Sequence, residues 1–209
     1  MLREVVVSQK LKVNHKELKK LEEVLIQVGL RIAKRGEGAL FVIGKADYEP
    51  LVNQSVPAFR VVENPKLLES LALMDGAVII DPKGYMEAYG VMIKSKKTFK
   101  NFGTRHSAAL EASRGYNTVI IVSEEDKKIR ILKNEKIIMQ IDALQRNVEG
   151  SVPFAVNILE TVGAGALGAI GTSFLVPSLG ISFLPGVLVF GSAYYLTKFL
   201  VNGFGKAEV

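Results

Sequence analysis

Between residues 14 and 33, apolar side chains recur at Leu18, Leu21, Val24, Leu25, Val28, Leu30 and Ile32. This mostly helical spacing predicts an amphipathic helix with Asn14 as its N-cap. Arg35-Gly36-Glu37-Gly38 breaks the pattern, and Ala39 to Ile43 follows as an unbroken apolar run. Such a run is expected of a strand inside a sheet covered on both faces. Ala58 to Val62 reads as a second strand, and Asn64-Pro65 opens a short helix to Ala72 with proline at its first position. Ala77 to Ile80 and Met86 to Ile93 read as strands joined by the turn Asp81-Pro82-Lys83-Gly84. A helix from Ser107 to Ser113 comes next. Strands Thr118 to Val122, Ile129 to Leu132 and Ile137 to Ile141 end the series, the last two linked by Lys133-Asn134-Glu135. Interleaved helices and strands with late hairpins predict an α/β domain over residues 1–147: a mixed β-sheet flanked by helices.

The pattern changes after Gly150. Beyond it only Glu160, Lys198, Lys206 and Glu208 are charged, so the net charge of +6 belongs to the first part of the chain. Residues 161–197 carry no formal charge. A membrane-spanning helix needs about 20 apolar residues, so this run is long enough for most of two spans. After a linker at 148–153, the reading is a transmembrane helical hairpin over 154–203. Its spans are 154–176 and 181–201, turning at Pro177-Ser178-Leu179-Gly180. Gly163-Ala164-Gly165-Ala166-Leu167-Gly168 fits GxGxxG literally, but a dinucleotide site needs an acid about 20 residues later, and none follows before Lys198. Small residues here instead suit close helix contact in a bilayer. Arg146, Lys198 and Lys206 flank the hairpin while its turn is uncharged, which puts both ends, and the first domain, on the cytoplasmic side of the cell membrane.

Charge excludes little else. His15 to Glu23 alternates bases with acids and has no interleaved aromatic residue, so it reads as a solvated helix face and no nucleic-acid partner is expected. There is no cysteine, which excludes disulfides and thiolate metal sites. Met1 to Val7 lacks the apolar run of a secretory signal.

Two short motifs carry the chemistry. Asp75-Gly76-Ala77 opens an apolar strand, and Gly103-Thr104-Arg105-His106 opens a helix. A carboxylate at a strand edge can bind a divalent ion or take a hydroxyl proton. An Arg-His pair at a helix N-terminus can hold phosphate oxygens. In this order and spacing the motifs resemble those of the diadenylate cyclase family. Gly38 to Gly44 resembles that family's early strand, and Val122-Ser123-Glu124-Glu125 its late one. The likeness covers roughly residues 14 to 140. One departure stands out: Ser107 occupies the position where the family most often has a second Arg or another basic residue. A hydroxyl makes single contacts where a guanidinium would make a two-pronged one.

The resemblance implies an enzyme that condenses two ATP molecules into cyclic di-AMP, expelling two pyrophosphates, in a head-to-head homodimer with Mg²⁺ or Mn²⁺. It implies Asp75, Arg105 and His106 as catalytic residues. It implies nucleotide contacts from Asp75, Gly76, Ala77, Met92, Gly103, Thr104, Arg105, His106 and Ser107, and metal contacts from Asp75, His106 and Glu124. A different class of function is also open: a membrane-anchored sensor that binds ATP or cyclic di-AMP without turnover, with Ser107 marking lost activity. A channel subunit would need more polar groups in the hairpin than Glu160 supplies.

Overall fold

The computed structural model describes residues 15–94, 104–115 and 117–163. The elements, in chain order, are α1 (His15–Lys34), β1 (Ala39–Ile43), β2 (Tyr48–Pro50), α2 (Pro65–Ala72), β3 (Ala77–Ile80) and β4 (Met86–Ile93). They continue with α3 (Thr104–Ala112), β5 (Thr118–Val122), β6 (Lys128–Lys133), β7 (Lys136–Asp142) and, after a 3-10 turn at Val148–Ser151, α4 (Val152–Gly163).

The strands form one seven-stranded sheet in the order β2-β4-β3-β1-β5-β6-β7. Only β1 and β3 pair in parallel; every other neighbour is antiparallel. Every residue of β1, β3 and β5 is buried, as their uninterrupted apolar sequences require of central strands. One face of the sheet, through Phe41, Ile80, Ile120 and Val122, packs on α1, α2 and α4. The other, through Leu40, Val42, Ile79 and Ile121, packs on Ala109, Leu110 and Ala112 of α3. Gly29 lets α1 lie close to the sheet: a Cβ there would stand 3.1 Å from Val122 Cγ2 and 3.2 Å from Ile129 Cδ1. In the β6–β7 hairpin, Asn134 and Glu135 both take positive φ, the geometry of a two-residue turn that matches strand twist.

Two local expectations are corrected. Ala58 to Val62 is not a strand. It makes a single bridge, Arg60 to Tyr85, while Val61 inserts into the core as a plug. The sheet edge it would need is taken by β2, which pairs with β4 over residues 91–93. The sequence hides β2 because it is three residues long, partly exposed and closed by Pro50, a residue tolerated at a sheet edge. Residues 148–153, read as a linker, are the 3-10 turn and the start of α4, and Val148, Val152, Ala155, Val156 and Leu159 are buried in the main core. An apolar helix start looks alike from sequence whether it meets lipid or a protein core.

No helix among the described residues is long and apolar enough to cross a membrane. The remainder of the hairpin, from residue 164 onwards, lies outside the described residues, as do Asn14 and Gly103.

Candidate functional site

Topology gathers the motifs at one edge of the sheet. β1 and β3 run parallel with Phe41 opposite Val78, so Gly38 and Asp75, which precede them, emerge at the same end. β5 runs the other way, pairing Val122 with Ala39, so Ser123 and Glu124 emerge there too. Neighbouring strands are about 4.8 Å apart, which sets the three loops side by side on the scale of one bound nucleotide.

Asp75 is exposed, and its Oδ1 accepts a hydrogen bond from the Gly76 N–H at 3.0 Å. This local turn aims the carboxylate outward. Gly76 has φ +101°, and a Cβ on it would stand 2.7 Å from both the N and the O of Val91. Only glycine lets Asp75 lie this close to β4. Ala77 is buried at the head of β3. Met92, one residue past Val91, is half exposed, and the Leu73 and Met74 side chains before Asp75 are exposed as well.

The second motif arrives on α3, which opens at Thr104. The Arg105 guanidinium lies against Gly38, close enough that a Cβ there would collide with Nη1, and its Nη1 is 3.8 Å from Glu124 Oε2. Arg105 thus links the helix start to the β1 and β5 loops. His106 is half-buried, with Nε2 3.4 Å from Nη1 of Arg130. Burial first, and then the positive charges of Arg130 and Arg105, hold its pKa below the ordinary histidine value, against the opposing carboxylates of Asp126 and Glu125. Ser107 is buried, turned into the domain rather than toward solvent.

Arg130 and Asp126 also belong to this neighbourhood, although no sequence motif marks them. Arg130 Nη1 donates to Asp126 Oδ1 at 3.3 Å, Nη2 donates to Oδ2, and Nε donates to Gln140 at 3.1 Å. Burial would raise the Asp126 pKa, but hydrogen bonds from Arg130 and Ser123 and the charges of Arg130 and Lys128 outweigh it and hold it below the usual range. The available signal was an arginine inside a strand whose other residues are mostly apolar.

No three His, Asp or Glu side chains gather in a way that could hold a metal ion among the described residues. Asp75 stands alone, Glu124 faces Arg105, and Nε2 of His106 faces Arg130. Such a set does not fit a resident ion caged by protein. An exposed single carboxylate can give a divalent ion one oxygen ligand while the ion keeps its other oxygens from elsewhere. A separate cavity of about 620 Å³ lies around the C-terminal end of α3, lined in part by Lys45, Asp47, Glu87, Glu111 and Arg114. None of the motif residues lines it.

A family model described as DisA bacterial checkpoint controller nucleotide-binding matches residues 29–137. A diadenylate cyclase of Haloferax volcanii is 31% identical over 137 residues, covering 57% of this chain and 50% of that protein. The chain therefore spans about half the length of this relative. Among solved structures, DacA from Staphylococcus aureus, as a double mutant, is 23% identical with a TM-score of 0.46, covering 72% of this chain and 99% of that one. A hypothetical membrane spanning protein from Bacillus cereus is 22% identical with a TM-score of 0.41, covering 54% and 59%.

Proposed function

The chain belongs to the diadenylate cyclase family, and on that premise we propose that it condenses two ATP molecules into cyclic di-AMP with release of two pyrophosphates. The observation that carries this reading is that the loops bearing Asp75-Gly76, Gly38 and Glu124 leave the same end of three neighbouring strands, with Arg105 from the start of α3 lying against Gly38 and facing Glu124. Each 3′-hydroxyl attacks the α-phosphate of the other nucleotide. Each new P–O bond replaces one to pyrophosphate, and each hydroxyl gives up its proton. The protein's part in such a displacement is in-line positioning and charge neutralisation.

In this reading Arg105 and the first N–H groups of α3 hold phosphate oxygens, with His106 and Thr104 around them. Asp75, exposed and held only by its own turn, orients the 3′-hydroxyl and accepts its proton. Gly76 and Met92 border the adenosine, with Ala77 buried at the head of β3. A divalent ion, when bound with the triphosphate, would neutralise charge on the phosphates, with Asp75 as its first protein ligand and Glu124 and His106 near it.

Ring closure needs two nucleotides facing each other, so two copies must meet edge to edge. Leu73, Met74 and Met92, exposed apolar side chains flanking Asp75, supply a surface that a second copy would cover. The uncharged run of 161–197 supports anchoring at the cell membrane, and the flanking Arg146, Lys198 and Lys206 support a cytoplasmic side for this domain, where ATP is.

The test is product analysis after incubating the purified chain with ATP and Mg²⁺ or Mn²⁺, alongside Asp75→Asn. Cyclic di-AMP from the parent and none from a folded Asp75→Asn is the expected result. Binding of ATP without product under either metal would replace this reading with that of a nucleotide sensor. Chelation of the divalent ion is expected to stop turnover while leaving the melting temperature unchanged, since no metal cage is present among the described residues.

A further inference from the structure

β6 alternates: Ile129 and Ile131 enter the core beneath α1, and Leu132 packs on the α3 side of the sheet. Arg130 reaches His106, at the opening turn of α3, and its side chain is only 15% exposed. All three of its nitrogens are engaged. Nε is held by Gln140, Nη2 by Asp126, and Nη1 is shared between Asp126 Oδ1 and His106 Nε2. A guanidinium can only donate. Nε2 of His106 must therefore accept, which leaves the ring neutral with its proton on Nδ1.

We propose that Arg130 is a positioning residue: clamped by Asp126 and Gln140, it fixes the His106 ring in the Nδ1–H tautomer at the opening turn of α3, beside Arg105. A free imidazole in water prefers the opposite tautomer, so the fixed one is a signature of the clamp. The effect on turnover rests on the proposed cyclase function; the tautomer does not.

The chain has two histidines, His15 and His106, so ¹⁵N-histidine labelling gives two ring systems, assigned with His15→Gln. Two-bond ¹H–¹⁵N correlation at pH 8 reads which ring nitrogen carries the proton. The expected result is Nδ1–H for His106 in the parent and in Arg130→Lys, and a shift toward Nε2–H in Arg130→Met. Turnover by Arg130→Met should fall about tenfold to a hundredfold in kcat, the scale of a misplaced positioning group, with KM for ATP little changed and partial rescue by Arg130→Lys. An Nε2–H ring in the parent, an unchanged tautomer in Arg130→Met, or an unchanged kcat despite a changed tautomer would overturn the proposal. If Arg130→Met strands the Asp126 carboxylate and fails to fold, the double variant with Asp126→Asn takes its place, and the parent spectrum already decides the tautomer. A parent that turns over no ATP would sink the cyclase reading, while the spectra would still decide the clamp.

Discussion

Two glycines at the sheet edge have different jobs, and substitution separates them. Gly76 combines a φ of +101° with a backbone contact that a Cβ would make at 2.7 Å. Neither can relax without moving β4. Gly76→Ala is expected to lower stability by about 1–3 kcal/mol, the usual cost of such a backbone, measured by urea denaturation. Gly38 needs no unusual backbone angle, and a methyl there collides chiefly with a flexible side chain, the Arg105 guanidinium, while the Val122 carbonyl oxygen at 3.2 Å has to give by only a few tenths of an ångström. Gly38→Ala should therefore melt close to the parent but bind ATP about tenfold more weakly. That corresponds to one charge-assisted contact of roughly 1.5 kcal/mol displaced. Isothermal titration with ATP checks it.

At the scale of elements, the largely buried Glu69 on α2 ties that helix to α1. It accepts from Arg31 Nε at 2.7 Å and from Arg35 Nη1 at 2.6 Å. Burial alone would raise its pKa, but the hydrogen bonds and charges of the two arginines outweigh burial and hold it below the ordinary value of 4.5. Because the folded value lies below the unfolded one, the stabilisation is fully present above pH 4.5 and is lost as the pH falls through the folded value. Urea midpoints of the parent and Glu69→Gln should differ at pH 7 and converge as the pH falls through the folded value. The same element shows what sequence reading captures. The proline at the first helical position and the apolar residues Leu68, Leu71 and Ala72 identify α2 locally, and all three are buried. The arginine pair that receives Glu69 is more than thirty residues away and has no local signature.

For the whole molecule, the informative boundary is at α4. Val152, Ala155, Val156 and Leu159 complete the core on the α1 side, and Lys19 of α1 donates to Asn157. A chain ended at residue 147 removes this face. Burying a large aliphatic side chain is worth about 1.5–3 kcal/mol, so such a chain should lose several kcal/mol relative to one ended at residue 163, read from denaturant midpoints. Equal midpoints would show that α4 packs on the domain without supporting it.

Local pattern is enough to specify the elements whose burial is uniform or periodic: α1, α2, the central strands β1, β3 and β5, and the tight turns at Asp81 and Asn134. It also determined the two motifs, because their chemistry is written in consecutive residues. Asp75-Gly76-Ala77 is legible without knowing what it touches. Tertiary structure decided everything that depends on a distant partner. It gave the sheet edge to Tyr48–Pro50 instead of Ala58 to Val62, drew residues 148–159 into the core, and buried Ser107. It also set Arg130 against His106, 24 residues away. Local patterns report how each segment divides between water and an apolar surface. They do not say which surface, and the partners that complete this candidate site come from different strands meeting at one edge.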